Sequence, residues 1–241
     1  MNLNIVMTSI AGAQCKTTMV HHMLMPFMPN PVVVQIEDWN FGRGHADLKI
    51  GAKAFYALAA QINSDREQSF ILDVGASNSK MMMAHFDDLE LTRKKIHYFV
   101  IPVRAGSKER IDALKTVSLI LDMGVDPSNV VMIATAVQDV DMFDHEFGPL
   151  KAAAARDGFH FAEQAVLFNG VFDMLKGSDK NVFEIVRDAP DFNQLLDQHR
   201  GDEKKLIEIG NQMLIYSLAS KAARNLKAVF ESTPIAAAIL M

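Results

Sequence analysis

The chain has 241 residues, 49% of them hydrophobic and 22% charged, a composition that excludes a largely disordered protein. That length can bury a full core as one α/β domain. A net charge of −5 provides no global drive toward nucleic acid or anionic lipid, so any such contact must be local or made through a partner.

A single cysteine, Cys15, excludes an internal disulfide framework and fits a reducing cytoplasm. No secretory signal is evident at the start, and no apolar run is long enough to span a bilayer. The fifteen methionines read as soft core filling rather than metal ligands.

In chain order, Asn4-Ile-Val-Met7 is a short buried strand. It runs through a loop of small residues, Ser9-Ile-Ala-Gly-Ala-Gln-Cys15, into Lys16-Thr17-Thr18, which opens a helix that Pro26 and Pro29 close. His21 and His22 are adjacent and so cannot form an i, i+4 metal pair. Residues 31–36 form a β-branched strand of the kind buried on both faces of a parallel sheet, ending in Glu37-Asp38-Trp39-Asn40. Residues 51–62 have helical spacing. Strands follow at 69–73 and 96–103. Next comes a helix at 107–123, with Ser107 as its expected N-cap and Gly124 at its stop. A strand at 129–135, a helix at 147–157 and a short strand at 159–162 complete the alternation. From about residue 181 the chain reads as helical, with a long helix over 202–230, and the apolar end from Ile235 reads as a packed or frayed tail. The expectation is a doubly wound α/β fold: one domain over 1–241, a mostly parallel sheet flanked by helices, and a helical C-terminal part.

The first loop has the layout of a phosphate-binding loop, in which backbone N–H groups face an anion, a lysine reaches the outer phosphates and a hydroxyl holds Mg²⁺. Lys16 and Thr17 take the last two roles. In the pattern G-x-x-x-x-G-K-[ST] the glycine positions fall on Ile10 and Cys15, so only the spacing is kept. Two more strand ends carry matching chemistry. Asp73, after Phe70-Ile-Leu72 and before Gly75, suits the acid that orients Mg²⁺ through water, with a glycine able to move when a phosphate leaves. Glu37 and Asp38 are the candidates for orienting the attacking water. A helix-capping Asp73 and a loop-forming Asp-Trp-Asn turn are the plain alternatives.

These three strand ends together resemble the ParA/MinD family, and within it the plasmid stability and conjugation branch typified by StbB and TraL. The resemblance rests on Ser-Ile-Ala-Gly-Ala-Gln-Cys-Lys-Thr-Thr, Gln-Ile-Glu-Asp-Trp-Asn and Ile-Leu-Asp-Val-Gly-Ala-Ser-Asn, and covers about the first 140 residues. Against the family loop K-G-G-x-G-K-[ST]-[ST], Ala11 replaces the signature lysine and Gly12 matches. Ala13 and Cys15 replace glycines, Gln14 is the free position, and Lys16, Thr17 and Thr18 match. The resemblance implies ATP and Mg²⁺ as cofactors, with Ala11 to Thr18 and Gly75 around the nucleotide. It also implies a homodimer when nucleotide is bound, a plasmid DNA-binding partner protein and slow hydrolysis. Relatives read adenine with an Asn near Ala134; here Asn169 is the candidate. The departures suggest a loop with weakened ATP affinity, and a redox-sensitive one, because a thiol at a helix N-terminus has a lowered pKa. Lys221, Arg224 and Lys227 read as either a weak non-specific DNA patch or a solvated helix face, and the acidic total favours the face. A pseudo-ATPase adaptor and a small-molecule kinase or ligase are the alternative functions. The lack of a G-x-S-x-G elbow counts against a serine hydrolase.

Overall fold

The computed structural model describes residues 2–37, 46–51, 54–65 and 67–240. Their strands form one seven-stranded sheet: β1 (Asn4–Met7), β2 (Val32–Ile36), β3 (Leu48–Ile50), β4 (Phe70–Val74), β5 (Tyr98–Arg104), β6 (Val130–Thr135) and β7 (His160–Phe161). Their spatial order is β3-β2-β4-β1-β5-β6-β7, and every pairing is parallel. The chain leaves β1 toward one edge, returns through β4, and then crosses β1 to build the other edge. The order thus reverses around β1, and α/β sheets bind ligands outside the strand ends at such a point.

Strand side chains alternate between two apolar layers, which is why the strand sequences are apolar throughout. On one face Val34, Ile36, Leu72, Phe99 and Met132 pack against α3 (Phe55–Ser64), α4 (Ser79–Asp88), α6 (Ser107–Asp122) and α7 (Phe143–Asp157). On the other, Ile5, Met7, Val33, Ile71 and Val131 meet the helix that follows β1 and the 29-residue α11 (Glu203–Glu231). Short helices α5 (Glu90–Arg93), α8 (Val171–Met174), α9 (Val182–Arg187), α10 (Phe192–Gln198) and α12 (Pro234–Leu240) fill the remaining connections. Ile235 is fully buried, so the apolar tail is packed. Met7, Met19, Met23, Met82 and Met132 are core residues.

Several local expectations change. β3 follows a segment with no strand pattern, and its residues are mostly exposed. The N-cap of α6 is Gly106, at φ 135°, while Ser107 is the first helical residue. A φ of 135° is one that residues with a side chain rarely adopt, so glycine is needed there. Gly124, at φ 79°, does end that helix, with its N–H donating to the Leu121 carbonyl. The first helix is not uniform. It begins as α1 (Lys16–Met19), widens into a π-helical turn over Val20–Leu24, and closes as α2 (Met25–Phe27). Pro26 lacks an N–H and its ring crowds the preceding turn, and the wider turn makes room for it. His21 and His22 lie in this turn, buried, with ring centroids 4.6 Å apart.

Candidate nucleotide site

The loop after β1 is held from both sides. The Ser79 hydroxyl donates to the Ser9 carbonyl at 2.9 Å, and Gln14 Nε2 donates to the Gly12 carbonyl at 2.9 Å. Gln14 Oε1 accepts from the Arg104 N–H at 2.8 Å, tying the loop to the end of β5. Within this frame Ala13 and Cys15 adopt left-handed backbone at φ 54° and 62°. Left-handed residues in such a turn are the pattern of a backbone anion nest, and each costs a non-glycine residue roughly 1–2 kcal/mol. Ala13 and Cys15 thus hold a backbone conformation that favours glycine. A Cβ at Gly12 would meet nothing within 4 Å, so the backbone there borders open space.

The strand ends converge on this loop. The Thr17 hydroxyl donates to Asp73 Oδ2 at 2.6 Å. Lys16 Nζ donates to the Ala11 carbonyl at 3.4 Å, folded back over its own loop. Asp73 is 4% exposed. Burial pushes its carboxyl above the usual carboxylate range against the Thr17 hydrogen bond and the Lys16 charge, and Glu37 adds to the rise. Burial likewise pushes the Lys16 ammonium down, with Asp73 and Glu37 pulling the other way. Glu37 packs over Gly75, where a Cβ would come within 3.2 Å of the Glu37 carboxyl carbon. Gly75 is thus what lets the β2 end fold over the β4 end. Together Gly12 to Thr18, Glu37, Asp73 and Gly75 line a cleft of about 440 Å³.

The thiol behaves differently from the expectation. Burial pushes Cys15 up, outweighing Arg104, Thr135 and Lys16, so its position in the loop does not make it a ready thiolate. Ala11 borders the loop but is not among the cleft's lining residues. Asp38 and Asn40 lie outside the described residues.

A second cavity, of about 390 Å³, opens on the other side of the loop and shares Ala13, Cys15 and Thr18 with the first. Phe168, Phe172, Met19, Arg104 and Asp173 are in its wall. Asn169 is there too, with its amide engaged: Nδ2 donates to the Leu218 carbonyl at 3.1 Å and Oδ1 accepts from the Val171 N–H at 3.0 Å. None of this cavity's aromatic wall was legible in the chain, because it is assembled across α8 and the loop before it.

The residues fit a nucleotide with its magnesium ion. Among the described residues no three His, Cys, Asp or Glu side chains converge to hold a metal unaided. Magnesium does not need that: it keeps several waters and is usually held by one or two protein oxygens and the substrate phosphates. Thr17 and Asp73 carry such oxygens, and the left-handed turn of the loop would suit a phosphate.

No protein-family description matches the chain, and neither does any curated protein sequence. Solved structures do match. MinD of Aquifex aeolicus, in its cell-division complex with MinC, is 13% identical, with a TM-score of 0.50 over 88% of this chain and 95% of that one. An ATP complex of a McdA variant from Cyanothece is 12% identical, with a TM-score of 0.48 over 88% and 96%. At these identities the likeness is one of fold: the chain has the fold of MinD.

Proposed function

We propose that the protein is a ParA/MinD-like ATP-binding switch, serving plasmid stability, segregation or DNA positioning through a DNA-binding partner protein. The observation that carries the nucleotide reading is the junction of three strand ends in one cleft. The loop lysine and hydroxyl follow β1, Glu37 follows β2, and Asp73, at 2.6 Å from Thr17, ends in β4. The cleft has the size of a nucleotide-scale pocket.

In this reading Lys16 unfolds from the Ala11 carbonyl to meet the outer phosphates, and the loop N–H groups bind them. Thr17, and Asp73 through water, would hold magnesium, which would supply charge neutralisation to the phosphates. Glu37 or Asp38 would orient the attacking water. The base enters the second cavity beside Phe168 and Phe172, with Asn169 in its wall. Gly75 and Glu37, packed together at the cleft, would be the elements that respond to the terminal phosphate and change affinity for a second copy or a partner. The plasmid role is drawn from the sequence resemblance to the StbB and TraL branch. A second reading, nucleotide binding without turnover, draws on Ala13 and Cys15 at the left-handed positions, where the loop carries side chains in place of glycine.

Calorimetric titration with MgATP tests the switch, and we expect micromolar binding that Lys16→Ala abolishes. Binding without phosphate release would select the second reading. No binding by the unaltered protein would overturn both.

A further inference from the structure

β2 is apolar except at one position. Gln35 sits between Val34 and Ile36, is only 5% exposed, and pairs in register with Asp73 of β4. Parallel partners project to the same face, so the carboxamide and the Asp73 carboxyl share the floor of the cleft. Nε2 of Gln35 faces Glu37 Oε2 at 3.5 Å. The opposite rotation of the amide would set two acceptor oxygens against each other, so chemistry fixes which end faces Glu37. The other end, Oε1, is buried with no hydrogen-bond partner among the described residues. Such an acceptor costs roughly 1–3 kcal/mol unless something supplies a donor. Below it lies a void of about 10 Å³ lined also by Thr17, His21 and Asp73. That is at the lower limit for one water, and Thr17, Gln35 and Asp73 bring polar groups to a wall otherwise made largely of Val20, Val33 and Ala46.

We propose that Gln35 is a positioning residue of the phosphate site. Its Oε1 accepts from a water held beside Thr17, Asp73 and the nucleotide's magnesium ion, and its Nε2 holds Glu37 over the cleft. A valine would pack a buried parallel strand equally well, and a carboxylate would add a third acid beside Asp73 and Glu37. Glutamine supplies an acceptor without charge. This inference rests on the nucleotide reading above, extending it to a residue outside the loop.

The test is ATP affinity measured by calorimetry, with magnesium and with EDTA, for the unaltered protein, Gln35→Leu and Gln35→Glu. Gln35→Leu removes the unsatisfied polar atom while keeping the shape, so it should melt at or above the unaltered protein. Its magnesium-dependent gain in ATP affinity should fall about tenfold, the scale of one lost hydrogen bond to a charged site, with affinity in EDTA unchanged. Gln35→Glu retains the acceptor and should keep the magnesium gain. If Gln35→Leu keeps it in full, or if Gln35→Glu loses it as the leucine does, Gln35 has no such role while the nucleotide reading stands. If the unaltered protein binds no ATP, the nucleotide reading fails and this inference with it.

Discussion

Asp73 is a carboxylate at a position where its own strand supplies only apolar neighbours, and its partners are few: the Thr17 hydroxyl and the Lys16 charge. Its raised folded-state value means that the protonated form favours the fold. That contribution is fully present below the ordinary carboxylate range and is lost as pH rises through the raised value. Asp73→Asn carries the neutral form at every pH and can still accept from Thr17. The nucleotide-free variant should therefore be more stable near neutral pH by on the order of 1 kcal/mol, a rise in Tm of roughly 2–4 °C. The difference should shrink as the pH is lowered. Thermal melts across a pH series check this, and a variant that melts lower at neutral pH would count against it. A site acid that destabilises the empty protein is expected where binding, not folding, is what uses the charge.

At the scale of elements, the C-terminal helices are held by caps as well as by packing. Asn181 opens α9 with its side chain accepting from the Phe183 and Glu184 N–H groups, and Glu184 reaches back to the Asn181 N–H at 2.8 Å. The six-residue helix is too short to persist alone, so its reciprocal cap and its packing on α11 must hold it. Asn181→Ala should cost about 1 kcal/mol. Chemical denaturation would show this as a lower midpoint with an unchanged slope; a midpoint that does not move would mean that packing alone holds α9. On α11 the basic stripe Lys221, Arg224 and Lys227 is exposed, as a solvated face and a nucleic-acid patch both require, and Lys227 lies 3.8 Å from Glu231.

For the whole molecule, the loop between β1 and α1 draws on elements from distant parts of the chain: Ser79 at the head of α4, Arg104 at the end of β5 and Thr17 against β4. A ligand seated there binds only the folded arrangement, so occupancy stabilises every element that frames it. At a MgATP concentration near one hundred times its dissociation constant, linkage gives roughly 2.7 kcal/mol, or about 5–10 °C in Tm. Differential scanning should show that rise in the unaltered protein and none in Lys16→Ala. An equal rise in both would place the ligand elsewhere. Among the described residues no helix is long and apolar enough to cross a membrane.

Local pattern alone determined the alternation of strands and helices, the parallel sheet and the residues of the phosphate loop. Continuous β-branched runs between helical periods can bury both faces in only one way. Pattern also placed Lys16, Thr17, Glu37 and Asp73 at strand ends, because polar residues that stop an apolar run mark where the sheet ends. Tertiary structure decided the rest. The Cys15 thiol is governed by burial rather than by its place before a helix, since desolvation depends on what packs around it. β3 forms because β2 offers it an unpaired edge, although its own residues carry no strand signal. Gln35 lies within a run read as one continuous strand, and only the register with Asp73 brings it into the wall of the cleft, because sheet neighbours are set by pairing and not by distance along the chain.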